Sequence, residues 1–243
     1  MRVIGVDACR RGWVAVSLEV SRRPHEVPRL VAVRMDGSLA GVLGQAERDP
    51  AQVVGIDMPL GMLESGWREA DRMARGLLGP RRSSVFAIPP RAVWAQPSYQ
   101  TANQLCRELT GQGFSVQAWG LRAKLLEANQ YREACEHPMY EVHPELAFGA
   151  MAGAPLEDSK HTAAGRELRR EVLARSGIVL PARSSGRAPG TRVGGYYGAA
   201  PVTDTLDAAA VAWSAGRIAA GQAVILPGRP QLDSQGRQIT IRY

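Results

Sequence analysis

The chain has 243 residues, 45% of them hydrophobic and 22% charged, enough to build a substantial core and inconsistent with a largely disordered polymer. Its formal net charge of +7 suits a polyanionic partner such as nucleic acid, but lysine occurs only at Lys124 and Lys160, so an arginine-rich composition explains the excess equally well. Three scattered cysteines, Cys9, Cys106 and Cys135, form no CxxC pair, which argues against a disulfide framework and against a structural zinc site.

At the N-terminus the apolar run 3–6 is broken by Asp7 and Arg10, unlike a secretory leader. No stretch reaches the ~20 apolar residues of a membrane helix, so a cytoplasmic protein without membrane attachment is expected. Residues 2–7 and 13–18 read as strands joined by a turn over 8–12, and residues 30–33 as a third, together an antiparallel meander. A helix over 39–47 precedes a buried strand at 52–57, which stops at Met58-Pro-Leu-Gly61 because Pro and Gly cannot continue a central strand. Residues 67–78 are helical in character, whereas 79–91 carry too many breakers for regular structure. Helices are expected over 98–112 and 115–135, from Leu105, Leu109, Leu121, Leu125 and Leu126. Residues 139–143 alternate like a strand, and a helix restarts at 145–151. A further helix covers 162–176 and ends near Gly177, which fits a C′ glycine. Residues 181–201 read as a basic loop, 203–220 as an alanine-rich helix closed by Gly221, and 239–243 as a last short strand. The order implies one α/β domain, a mixed sheet with helices on its faces.

Asp7 and Asp57 each end an apolar strand where the chain leaves the sheet. A carboxylate there is costly unless it is paired or holds a cation, although a single one is usually a turn or cap residue. Asp207 lies inside a helix of Leu206, Ala208–Ala210, Val211 and Trp213, where an unpaired charge is expensive and a functional role is favoured. Asp204, one turn earlier on the same face, reads as a cap or dipole partner as readily as a ligand. Glu141 shares a strand face with Met139 and His143, and Glu145 follows Pro144 at a helix start; either acid could join a site. His143 alone reads first as a satisfied polar residue. An all-carboxylate set from several elements suits Mg²⁺ or Mn²⁺, hard ions that prefer oxygen ligands. Arg81, Arg82, Arg91, Lys160, Arg166, Arg169 and Arg170 are candidate phosphate contacts, with a solvated helix face the simpler account of the last three. Trp67, Phe86 and Trp94 could stack bases, though packing is the simpler role for each.

The segments that carry these residues resemble the domain-of-unknown-function family 429, whose members are described as predicted ribonuclease H-like nucleases. They are Gly5-Val-Asp-Ala-Cys-Arg-Arg-Gly-Trp-Val14, Gly55-Ile-Asp-Met-Pro-Leu-Gly61, residues 72–91, Glu141-Val-His-Pro-Glu145, Ser159-Lys-His-Thr162 with Gly165 and Arg166, Thr203-Asp-Thr-Leu-Asp-Ala208 and Asp233-Ser-Gln-Gly-Arg237, with Ile241 and Tyr243 after it. The resemblance implies a ribonuclease H-like mixed sheet with its first three strands antiparallel, flanked by helices and interrupted by a helical insertion at about 62–137. It implies Asp7, Asp57 and Asp207 as the acids of the site, with Asp204 beside the last and Glu141 or Glu145 completing the cluster. Family members carry glycine where this chain has Ala8 and Arg11, a departure that touches the turn beside Asp7 rather than the acids.

The expected activity is metal-dependent hydrolysis of phosphodiester bonds in DNA or RNA. Lys160 or an arginine would steady the scissile phosphate, and one or two Mg²⁺ or Mn²⁺ ions would sit on the acids. Two alternatives remain at this stage. One is a nucleotide-hydrolysing relative of the actin-like ATPases, disfavoured because Ala8 and Cys9 follow Asp7 where those proteins carry an Asp-x-Gly phosphate loop. The other is a non-catalytic nucleic-acid-binding protein. The oligomeric state is open, a dimer included.

Overall fold

β-Branched and apolar residues dominate the early runs, and they pair as strands almost to their last residue. The computed structural model describes residues 1–21, 26–44, 51–135, 137–181 and 200–243. In chain order the first elements are β1 (Arg2–Cys9), β2 (Gly12–Glu19), β3 (Arg29–Asp36), α1 (Leu39–Gly44) and β4 (Val53–Asp57). Helices α2 (Glu69–Leu78), α3 (Arg91–Trp94), α4 (Tyr99–Thr110), α5 (Val116–Gly120) and α6 (Arg122–Ala134) follow. The chain continues through β5 (Met139–Val142), α7 (Pro144–Ala152), α8 (Ala163–Arg175), α9 (Val202–Ala219), β6 (Ile225–Leu232) and β7 (Gln238–Arg242). The described residues form two compact units: Met1–Asp57 with Cys135–Val224 and Arg242–Tyr243, and Met58–Ala134 with Ile225–Ile241.

The first unit is an α/β layer structure built on a mixed sheet. Its strands lie in the order β3-β2-β1-β4-β5. β1, β2 and β3 are antiparallel neighbours, whereas β4 runs parallel to β1 and β5 parallel to β4. The turn expected over residues 8–12 shrinks to Arg10 and Arg11, because Cys9 pairs with Gly12. Gly12 closes that turn at φ +141°, where an added Cβ would lie 1.9 Å from the Asp36 carbonyl oxygen. The helix expected over 39–47 is seen as α1, with 45–47 outside the described residues, as are nearly all of the expected basic loop 181–201.

Helix α9 is the central helix of this unit. Of its 18 residues Thr205–Ala212, Ser214 and Ala215 are buried, so it is covered on most sides rather than being a surface amphipath. It lies directly on β1 and β4 through two glycines that face each other in register, Gly5 and Gly55. A Cβ on Gly5 would stand 2.0 Å from the Ala212 amide nitrogen and 2.2 Å from the Ala208 carbonyl oxygen; one on Gly55 would stand 2.9 Å from a Val211 methyl. Small residues on both surfaces therefore set the distance of the helix from the sheet. Val3, Val16, Leu18, Val33, Phe148, Leu173, Leu206 and the alanines of α9 pack into one core.

The second unit holds α2–α6 and the β6–β7 segments. Trp94 is buried, stacked on Trp119 with centroids 6.2 Å apart and edge-on to Phe114 at 5.7 Å. Asn129 secures the segment after β4: its Oδ1 accepts from the Gly61 N–H (2.7 Å) and its Nδ2 donates to the Pro59 carbonyl (2.9 Å). Two expectations need correction here, and one strand was not anticipated. Residues Gly79–Ser84 form a 3₁₀ turn with Pro80 in its first positions, and α3 follows, because proline is tolerated where helical donors are unpaired anyway. The single helix expected over 115–135 is two, interrupted at Gly120–Leu121, where glycine weakens the helix and the Leu121 N–H turns back to the carbonyls of Ala118 and Trp119. β6 is a strand despite Pro227 and Pro230, which hid it from the pattern of apolar residues. Among the described residues no helix is long and apolar enough to cross a membrane.

The glycine contact predicts a sharp asymmetry. Gly5→Ala should fail to fold or melt far below wild type, beyond the ~1–3 kcal/mol of ordinary overpacking, since the obstructing atoms are helix backbone. Gly216→Ala, whose Cβ would meet nothing nearer than a Val20 methyl at 3.4 Å, should melt within about 1 kcal/mol of wild type or above it. Calorimetric melting of the two variants checks this; equal melting points would contradict the packing described.

Candidate functional site

Asp7 and Asp57 are register partners near the C-terminal ends of two parallel strands, so their side chains leave the same face of the sheet, the face that α9 covers. Asp207 sits on α9 one residue before Ala208, whose carbonyl stands over Gly5. Helix and strands thus deliver three carboxylates to one place within the first unit. Asp7 and Asp207 are buried, Asp207 completely.

Their electrostatics follow from that crowding. Burial, and then the charges of Asp57 and Asp207, push the Asp7 carboxyl well above the ordinary carboxylate range, against the attraction of Lys160. Burial also raises Asp57, to about 7, with Asp207 and Glu145 adding repulsion while Lys160 and a hydrogen bond with Asp7 oppose it. Asp207 is raised by burial too, in spite of Lys160, whose Nζ donates to Asp207 Oδ2 at 2.5 Å. Burial alone would depress the Lys160 ammonium, but Asp207, Asp57 and Asp7 outweigh it and hold it above the ordinary lysine range. Asp207 Oδ1 is buried and accepts no hydrogen bond from the described residues. Three acids, one ammonium and an unused buried oxygen make an environment short of positive charge.

Asp204 stands at the margin. It is half-buried, bonded to the Thr203 hydroxyl (3.2 Å), and raised by burial. Glu145 and Glu141 diverge. Glu145 is buried and close enough to repel Asp57 and Asp207, but both its oxygens accept from Arg169 Nη2, at 2.7 and 2.8 Å. On β5, Tyr140 pairs with Gly55 and the Val142 side chain reaches the Gly55 position, so these residues share the face of α9; Glu141, paired with Ile56, points to the opposite face. The structure therefore brings together Asp7, Asp57, Asp207 and Lys160, with Asp204 and Glu145 beside them, and turns Glu141 away. His143 occupies the N-cap position of α7.

Arg169 departs most from its expected place on a solvated or phosphate-binding face. It is 0% exposed, lies 5.4 Å from the Phe148 ring and donates from Nη1 to the carbonyls of Asp158 (3.0 Å) and Gly165 (2.9 Å). Those carbonyls bracket Lys160, and a Cβ on Gly165 would press within 2.0 Å of the Ser159 carbonyl oxygen. Arg169 is thus a positioning residue: it ties Glu145 to the loop that carries Lys160. The signal was available in the sequence, since Gly165, Arg169, Val172 and Leu173 fall on one buried stripe of α8. Arg91 lies 3.4 Å from Glu64, and the buried Trp94 has no exposed face for a base.

The sequence model of one protein family, described as "Protein of unknown function (DUF429)", matches residues 5–232. The chain belongs to this family. The match spans Asp7, Asp57, Asp204 and Asp207 as well as Glu145 and Lys160. No curated protein matches the chain. Among solved structures, that of Thermus thermophilus RuvC is similar at 16% identity, over 91% of this chain and 98% of that one, with a TM-score of 0.40. Among the described residues no three His, Cys, Asp or Glu side chains are spaced as a ready metal cage. One oxygen of Asp207 is instead turned to Lys160. The donor chemistry nonetheless fits a hard divalent cation: the acids offer oxygen only, they repel one another, and Asp207 keeps a buried oxygen without a donor.

Removing the clamp should cost stability. Arg169→Met leaves Glu145 buried and uncompensated and should lower stability by about 3–5 kcal/mol, whereas Arg169→Met combined with Glu145→Leu should recover most of that loss. Denaturant melts of both variants test it; a double variant no more stable than the single one would contradict the ion-pair account.

Proposed function

We propose that this protein is a metal-dependent nuclease of the ribonuclease H-like kind, hydrolysing phosphodiester bonds in DNA or RNA. The observation that carries the reading is the convergence of Asp7, Asp57 and Asp207 from β1, β4 and α9 on a site where Lys160 donates to Asp207 and burial with mutual repulsion still holds all three carboxyls above the ordinary range. Asp7, Asp57 and Asp207 would hold Mg²⁺ or Mn²⁺, with Asp204 as a further oxygen donor. When bound, the cation supplies polarisation of the scissile phosphate and a more acidic water. In this reading residues at about 62–137 are a helical insertion into a single domain of 243 residues, and the three free thiols suit a reducing cytoplasmic setting.

The chain's own residues do the rest. The paired strands hold the backbones of Asp7 and Asp57 in register, so both carboxylates start from fixed neighbouring positions on one face of the sheet. Lys160, about one-third exposed, is the group placed to meet a phosphate oxygen when it leaves Asp207, and Arg169 fixes the loop from which it reaches. Glu145 spends both oxygens on Arg169 and acts by position rather than by ligation. The alternative of an actin-like nucleotide hydrolase is disfavoured by the backbone: β1 runs on through Cys9 and turns over two residues, leaving no phosphate loop beside Asp7.

The test is cleavage of labelled single-stranded, duplex, hybrid and junction substrates of DNA and RNA with Mg²⁺ or Mn²⁺. Wild type should cleave at least one class, and Asp7→Asn and Asp207→Asn should each lower the rate by about 100-fold or more. Absence of cleavage by wild type, or equal cleavage by all three proteins, would overturn the proposal and favour a binding protein.

A further inference from the structure

A cavity of about 830 Å³ lies within the second unit, a size typical of small-molecule sites. Among the residues that line it are Arg72 and Arg75, the buried Arg68, and the aromatic Trp67, Phe86 and Phe114. One acid, Asp71, shares the lining, and it is already committed: its Oδ2 accepts from the Ile88 N–H at 2.9 Å and its Oδ1 lies 3.4 Å from Arg68 Nη2. With Arg68 matched by Asp71 and Arg72 by Glu69, Arg75 leaves the wall with one net positive charge. Arg75 is braced by a bond from its Nη1 to the Val85 carbonyl (3.1 Å), and Arg72 is paired with Glu69 at the exposed rim. Gln231 secures the start of the wall, accepting from the Glu69 N–H (2.7 Å) and donating to the Trp67 carbonyl (3.3 Å).

The indole of Trp67 adds an independent sign. Its Nε1 is buried and has no hydrogen-bond acceptor among the described residues. Indole can only donate, and buried donors are nearly always satisfied. A ligand that answers all of these features carries acceptor oxygens with negative charge for the arginines and indole, and a flat ring for the aromatic walls. Guanidinium forks match phosphate oxygens, and aromatic side chains match the π-faces of nucleobases.

We infer that this cavity binds a nucleoside 5′-phosphate, either free or as the phosphorylated end of a strand. The phosphate meets Arg75, with Arg72 at the rim, the base lies against Phe86 and Phe114, and Trp67 Nε1 donates to a ligand oxygen. Every residue of the site belongs to the second unit, and none is among the acids assigned to metal. The inference therefore stands or falls separately from the nuclease reading, and its test runs in EDTA, where metal-dependent chemistry is silent.

The experiment is calorimetric titration of the full chain in EDTA with each of the four ribonucleoside 5′-monophosphates, the matching nucleosides and inorganic phosphate. At least one monophosphate should bind saturably, and about tenfold or more tightly than its nucleoside or phosphate alone. Arg75→Gln and Trp67→Phe, each checked by melting to be folded, should weaken that binding by about tenfold or more and by a smaller factor, respectively. Competition by a 5′-phosphorylated pentanucleotide, but not by its 5′-hydroxyl form, would assign the site to strand ends; failure of both to compete would assign it to free nucleotides, and either result sustains the site. Absence of saturable binding by all four monophosphates, or wild-type affinity in folded Arg75→Gln, would overturn it.

Discussion

A helix ordinarily stands off a sheet by the length of the side chains between them. Here Gly5 and Gly55, facing each other across β1 and β4, remove those side chains, and Ala208 and Ala212 of α9 keep the other surface bare over Gly5, while Val211 packs over Gly55. The helix backbone then rests almost on the strands. Everything at the site depends on this approach, because Asp207 comes from the helix and Asp7 and Asp57 from the strand ends two residues beyond the glycines. Larger residues at positions 5 and 55 would lift Asp207 away and leave only a pair of strand-end acids.

The closeness has an electrostatic consequence. Desolvated carboxylates raise one another's proton affinity, and Asp7 and Asp57 are shifted upward on both counts. Lys160 offsets part of this through Asp207, but its loop is anchored by a separate buried pair, Glu145 with Arg169. Two layers of charge follow. The inner layer is short of cations; the outer layer is a neutral pair in which both Glu145 oxygens and both terminal nitrogens of Arg169 are hydrogen-bonded, and it anchors the loop that carries Lys160. A buried pair of that kind contributes little net stability compared with apolar packing, which is consistent with a positioning role.

Much of this was legible in the sequence. Asp7 and Asp57 announced themselves by ending β-branched runs, and Asp207 by interrupting an alanine-rich helix. Period-two and period-3.6 patterns located all the strands and helices of the first unit. What failed had physical causes. β6 carries two prolines, so no apolar or alternating run marks it until a neighbouring strand supplies the pairing. The choice between Glu141 and Glu145 needed the register of β5 against β4, which no local pattern encodes and which a one-residue slip would reverse. Arg169 was read as solvated because arginine usually is; its partner Glu145 is 24 residues away, and only the buried stripe of α8 hinted at the pairing.

The central claim is that Asp7, Asp57 and Asp207 form a cation site from which Glu141 is excluded. Titration of Mn²⁺ followed by electron paramagnetic resonance of the free ion tests it directly, without requiring a substrate. Wild type and Glu141→Gln should bind Mn²⁺ with similar affinity, and Asp7→Asn should bind about tenfold or more weakly. No saturable binding by wild type, or a Glu141→Gln defect as large as that of Asp7→Asn, would contradict the account.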